Sequence, residues 1–165
     1  MAYHKITADI LQKITAIVGN DAVITTHDDL EKYSHDETEY LSYYPEVVVK
    51  PRSAKEISQL LVLCNQYLIP VTPRGAGTGL SGGALSVLGG LLISMERFNQ
   101  ILNIDERNLQ ATVEPGVITE NIYGCGCRKG FVLPCRPCEQ GQLFYRRQCG
   151  AWLRRTEGSQ IRHHP

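Results

Sequence analysis

Apolar residues at Ile6, Ile10, Leu11, Ile14, Ile17 and Val18 recur at helical spacing, and Gly19-Asn20 supplies the stop. Asp28-Asp29 opens a second, more polar helix through Tyr33, followed by an irregular stretch to Tyr44. Val47-Val48-Val49 reads as a short apolar strand between Pro45 and Pro51. Ser53 with Glu56 three residues on forms a capping box, in which the serine accepts a backbone N–H and the glutamate reaches back. It predicts a helix to about Tyr67 with Ile57, Leu60, Leu61, Leu63 and Cys64 on one face. Pro70 and Pro73 keep Ile69 to Thr72 extended. Leu91 to Ser94 reads as a buried strand. Ile101 to Ile104 and Leu109 to Val113 follow as two more across an Asp105–Asn108 turn, and Thr119 can cap a further helix. The pattern predicts an α+β fold of short strands with flanking helices.

Length and charge narrow this picture. A chain of 165 residues suffices for one domain with a core. The zero net charge argues against a nucleic-acid partner, but the charge is unevenly spread. Residues 1–124 carry 9 Lys+Arg against 15 Asp+Glu, and residues 125–165 carry 8 against 2. Cysteine divides the same way, with Cys64 in the first part and Cys125, Cys127, Cys135, Cys138 and Cys149 in the second. Lys5 and Asp9 flank only a short apolar stretch, which does not read as a secretory leader. No apolar run reaches the ~18 residues of a membrane span. A cytoplasmic setting is therefore expected, where disulfides are rare.

The stretch with most chemical content is PVTPRGAGTGLSGGA, Pro70 to Ala84, with glycines at 75, 77, 79, 82 and 83 and no acidic residue. Closely spaced glycines let backbone amides converge on a ligand that touches main chain directly. The Walker pattern fails because no Gly-Lys-Ser/Thr follows. The dinucleotide fingerprint is formally present at Gly77-Thr-Gly79-Leu-Ser-Gly82, with Glu96 downstream. Only Gly83 to Gly90 separate it from the next strand, too few for the helix of a parallel crossover. A bare glycine run would be read as a surface turn. Arg74, Thr78 and Ser81 place one charged and two hydroxyl donors among the amides, which suits a diphosphate.

With IPVTPRGAGTGLSGGA, then GGLLISMERFNQILNID, then NLQATVEPGV, the chain resembles the FAD-binding (PCMH) domain of the vanillyl-alcohol-oxidase type. Within that group it is most similar to the branch that holds glycolate oxidase and D-lactate dehydrogenase. The resemblance spans about Ile24 to Tyr123, including PEVVVKPRSAKEI. It implies the N-terminal part of such a domain, with FAD as cofactor and its diphosphate wrapped by Arg74, Gly75, Ala76, Gly77, Thr78, Gly79, Leu80, Ser81 and Gly82. It further implies that the turn containing Pro115 and Gly116 lies against the cofactor. The chemistry implied is oxidation of a small 2-hydroxy acid by hydride transfer to the flavin, with electron-transfer proteins as partners that full-length members could use. No catalytic residue is assigned in this chain.

Other residues carry plainer readings. His4, His27 and His35 are expected to be solvated. Tyr40, Tyr43 and Tyr44 are expected to cover a sheet edge, Cys64 to pack in the core, and Glu96 and Arg97 to sit in a surface turn. After Tyr123 the character changes. Cys125-x-Cys127 and Cys135-x-x-Cys138, with Cys149 and His163 or His164, could be metal ligands, but the spacing is poor for a paired zinc knuckle. A reading-frame shift near codon 124 fits better. Codons permitted for Arg128 to Pro134, read one base later, spell Glu-Lys-Gly-Leu-Tyr-Tyr-Pro. Those for Cys135 to Gln148 yield a Val-Asp-Pro-Ala-Ser stretch and end in Gly-Gly-Asn. Codons from Trp152 to His164 continue in the same frame. The shifted text resembles the next flavin-facing segments of the same family. The expected organisation is a partial FAD-binding domain over 1–123 and a frameshifted, disordered tail over 124–165. Such a fragment would be inactive as written. The alternative is a non-catalytic module with a Cys-rich, zinc-binding tail.

Overall fold

The computed structural model describes residues 3–105, 107–108, 110–119 and 121–122, with the backbone of three two-residue strands further on. The chain divides into two units, Met1–Phe98 and Asn99–Pro165.

The first unit is built on a four-stranded sheet in the order β1-β2-β4-β3. Its elements are α1 (Ala8–Val18), a short 3-10 turn, β1 (Val23–Ile24), α2 (His27–Ser34), β2 (Val47–Val49), α3 (Ala54–Gln66), β3 (Val71–Arg74) and β4 (Leu91–Ser94). β1 runs antiparallel to β2, whereas β2 and β3 flank β4 in parallel. The alternation of side chains along β2 and β4 divides the core in two. Val47, Val49, Leu91 and Ile93 pack with Ile10, Ile14 and Val18 of α1 and with Leu60 and Cys64 of α3. Val48 and Leu92 project to the opposite face and meet Leu30 and Tyr33 of α2. Strands buried on both faces need continuous apolar runs, and VVV and LLI are such runs.

Element ends follow from local chemistry. α1 stops at Gly19, whose φ of 85° turns the chain while its N–H bonds Thr15 O. α3 starts at Ser53, whose Oγ accepts from the Glu56 N–H at 3.3 Å. Glu56 reaches back one residue further than a capping box prescribes, accepting from Arg52 N–H at 2.7 Å. Irregular backbone follows α2, as expected. Tyr40 is 98% exposed and Tyr44 is also exposed, so the expected tyrosine cover over a sheet edge is not formed by them. Tyr44 instead stacks on His27, which is exposed as expected, like His4 and His35.

The link between β3 and β4 departs from the usual parallel crossover. Residues 75–90 contain no helix, yet the strands they join are parallel. The glycine loop itself carries the chain across. Positive φ at Gly77, Gly82, Gly89 and Gly90 makes its turns.

In the second unit β5 (Ile101–Asp105) and β6 (Gln110–Val113) form an antiparallel pair with a register shift between Ile101 and Asn103. The Asp105 carboxylate accepts from the N–H groups of Arg107 and Asn108, both at 2.9 Å, and sets the hairpin turn. Ala111, Val117 and Ile122 are buried. Beyond residue 123 only β7 (Phe131–Val132), β8 (Ala151–Trp152) and β9 (Arg154–Arg155) are described. β8 pairs with β6 and β9 with β7, both antiparallel. The cysteines and histidines considered as zinc ligands there lie outside the described residues, as does most of the stretch expected to be disordered. Among the described residues no helix is long and apolar enough to cross a membrane.

Candidate functional site

The glycine loop leaves the C-terminal end of β3, beside the C-terminal end of β4, where open parallel sheets bind ligands. Its shape is imposed from one side by a polar layer. Arg74, the last residue of β3, is 7% exposed. Its Nη1 donates to His35 O at 2.8 Å and its Nη2 to Lys32 O at 3.3 Å, so the guanidinium caps free carbonyls at the end of α2. It also lies 5.7 Å from the centre of the Tyr33 ring. Burial lowers the Arg74 pKa while the nearby Asp36 carboxylate works against that, and an arginine keeps its charge regardless. Arg74 thus supports the loop from within through these two bonds. A Cβ on Gly77 would lie 2.6 Å from Arg74 Cζ, so only glycine lets the loop cross the guanidinium this closely.

Beside Arg74, the Tyr33 hydroxyl donates to Glu96 Oε1 at 2.9 Å and Lys50 Nζ to Glu96 Oε2 at 2.7 Å. Burial acts to raise the Glu96 pKa, but the bonds from Lys50 and Tyr33 outweigh it and hold the carboxyl below its ordinary range. For Lys50, burial acts downward and is likewise outweighed by Glu96, leaving the ammonium above its usual range. The expectation of a plain surface turn at Glu96 is corrected here, since its carboxylate ties α2, β2 and the end of β4 together. Arg97 next to it pairs with Asp21 at 3.0 Å. These partners come from distant positions, and nothing in the local pattern around Glu96 announces them. Cys64 is buried, and burial pushes its thiol up to about 11, consistent with packing and not with a nucleophile.

Across the loop, the amides of residues 75–81 have no acceptor among the described residues, whereas Gly82 N–H is held by Thr38 Oγ1 at 2.8 Å. Gly79 is buried, and Thr78 is partly exposed. Leu80 is exposed, as is Ser81. A run of donor groups without acceptors among the described residues, on a loop that lies against a cation, suits what an anionic diphosphate needs from main chain. The residues present therefore fit the phosphate end of FAD. Pro115 and Gly116 belong to the second unit. There Glu114 O accepts from Val117 N–H at 3.2 Å. Glu114 also bonds twice to Gln100, its N–H to the carbonyl and its Oε2 to the N–H, both at 2.9 Å. Gly116 is buried and Pro115 exposed in this turn.

Comparison with known proteins identifies the family and the fold. A family described as FAD binding domain matches residues 45–142. The chain is 38% identical over 132 residues to the glycolate oxidase subunit GlcD of Bacillus subtilis, covering 80% of this chain and 28% of that one. It is 35% identical over 139 residues to the D-lactate dehydrogenase of Anaerostipes hadrus, covering 84% of this chain and 29% of that one. The chain therefore spans less than a third of the length of these relatives. In shape it is similar to p-cresol methylhydroxylase, with a TM-score of 0.71 at 24% identity over 79% of this chain and 27% of that one. With the fold shared and the family match covering more than half of the sequence, the chain belongs to the FAD binding domain family, as an N-terminal part of that α+β domain whose cofactor is FAD.

Proposed function

We propose that residues 1–123 form the opening part of an FAD-binding domain from an oxidoreductase of small 2-hydroxy acids, with residues 74–82 around the cofactor diphosphate and Pro115–Gly116 against the same cofactor. The observation that carries this reading is the uninterrupted set of loop amides, 75–81, without acceptors among the described residues, beside the buried Arg74. The names of the relatives, glycolate oxidase subunit GlcD and D-lactate dehydrogenase, support the substrate class. When bound, the flavin supplies an acceptor for a hydride. The part of this chain is to orient the diphosphate end through amides at 75–81. Titrating FAD into the purified chain and following its absorbance and fluorescence quenching tests this. An unperturbed flavin spectrum at saturating protein would sink it.

The same reading assigns residues 124–165 to a shifted reading frame and expects no turnover from the chain as written. Hydride transfer requires the substrate carbon held about 3–3.5 Å from the flavin, with a base and a carboxylate clamp in place. The segments that resemble the flavin-facing part of the family occur only in the shifted text. The family match, which ends at residue 142, crosses the proposed junction, so the nucleotide sequence through this region is the direct test. If restoring one base fails to extend the family pattern, the frameshift is wrong. One tightly held zinc per chain would equally overturn it in favour of a metal-stabilised tail. Incubation with FAD, an acceptor dye and D-lactate or glycolate should give no dye reduction above background, and clear turnover would refute the expected inactivity. A cytoplasmic setting belongs to the same proposal, and the free buried thiol of Cys64 suits a reducing compartment.

A further inference from the structure

The loop after α2 meets the glycine loop through one side chain. Asp36 is 8% exposed, and its Oδ1 accepts from Thr38 N–H at 2.9 Å, closing an Asx turn. That turn holds the Thr38 hydroxyl between two glycines of the loop. Oγ1 accepts from Gly82 N–H at 2.8 Å and donates, at a long 3.5 Å, to Gly79 O. The two contacts bracket Gly79 to Gly82, whose intervening amides have no acceptor among the described residues. On the far side of the same crossing, Arg74 binds the carbonyls of Lys32 and His35. Residues 32–38 therefore grip the loop at both ends, by an arginine fed into them and by a hydroxyl extended from them.

We propose that Thr38 is a positioning residue for the diphosphate loop: its hydroxyl, set by the Asp36 turn, holds Gly79 and Gly82 so that the amides between them face the ligand together. This rests on the reading of residues 74–82 as the diphosphate site. The physical reason is entropic. A glycine-rich segment has more backbone freedom than any other, and the freedom it loses on binding weakens the complex. Two bonds from one fixed hydroxyl remove part of that freedom beforehand. Val at position 38 keeps the shape and deletes both bonds, whereas Ser keeps both.

The test uses the full 165-residue chain with FAD and ADP, two ligands that share the diphosphate. Thr38→Val should weaken both by the same factor, about tenfold. Thr38→Ser should bind within about twofold of the parent. In the flavin-free protein, the Gly82 amide should exchange with solvent faster in Thr38→Val than in Thr38→Ser, which reads the contact without any ligand. Gly77→Ala is the control for the site. If Gly77→Ala loses affinity while Thr38→Val does not, the loop stands and the positioning role falls. If Gly77→Ala binds normally, the loop itself is misassigned. Equal losses in the Val and Ser variants would assign the effect to packing and overturn the proposal. Collapse of the whole fold in both variants would also overturn it, because a general support of the fold is not a positioning contact. An unchanged Gly82 exchange rate in Thr38→Val would refute it whatever the ligands do.

Discussion

Two glycines of the β3–β4 link share a left-handed backbone and differ in what surrounds them. Gly77, at φ 76°, crosses the Arg74 guanidinium within the candidate site. Gly90, at φ 73°, is buried at the start of β4, where a Cβ would press on the Pro70 carbonyl and lie 2.6 Å from the proline ring Cγ. At Gly77 the obstacle is a side chain, which can shift only by giving up its bonds to Lys32 and His35, whereas at Gly90 it is paired backbone. Gly77→Ala should therefore lower FAD affinity by about tenfold, or 1.4 kcal/mol, with far-ultraviolet circular dichroism nearly unchanged. Unchanged flavin binding would remove Gly77 from the site. Gly90→Ala should destabilise the fold by about 1–3 kcal/mol in urea titration, through strain at a conformation closed to side chains. A melting curve equal to the parent's would show that the backbone there relaxes freely.

At the scale of elements, α2, β2 and the end of β4 are joined by the Tyr33–Glu96–Lys50 set. The sign of its pH dependence follows from the two shifts. Glu96 has a folded-state pKa below the ordinary 4.5, so its contribution is present above that value and is lost as pH falls through the folded one. Asp21, held low chiefly by its bond from Arg97, acts in the same direction from the surface. Lys50 has a raised pKa, so its contribution is complete below 10.5 and is lost as pH rises through the folded value. Stability should show a neutral plateau with acid and alkaline limbs. Glu96→Gln should flatten part of each limb, modestly, since both charges retain contact with water. Parallel pH–stability curves for parent and variant would show that the set does not couple to folding.

For the whole molecule, the central question is what residues 124–165 contribute. The apolar core of the first unit is closed within residues up to 98, by α1, α2 and α3 over the two faces of one sheet. Truncation after Tyr123 should therefore change the thermal midpoint little. A large drop would mean that the pairing of β8 with β6 supports the second unit and that the tail is part of the fold. Much of this architecture was legible in the sequence. Helical spacing marked α1, the serine cap marked α3, and the VVV and LLIS runs marked the two central strands, because burial periodicity and capping act over a few residues. The glycine loop was legible as a sequence feature for the same reason, and FAD followed from the family resemblance carried by three separated segments, which the family match bears out. What required tertiary structure were the partners of charge. Arg74 gives no local signal of the carbonyls it binds, those of Lys32 and His35. Glu96 reads as part of a surface turn, yet it binds Tyr33 and Lys50. Thr38 gives no signal beyond a polar stretch, yet it holds the loop. A hydrogen bond across 39 or more residues depends on which elements the sheet brings side by side, and no local pattern encodes that neighbour. The parallel course of β3 and β4 was hidden likewise, because strand direction is decided by where β4 inserts between β2 and β3, not by the loop that leads to it.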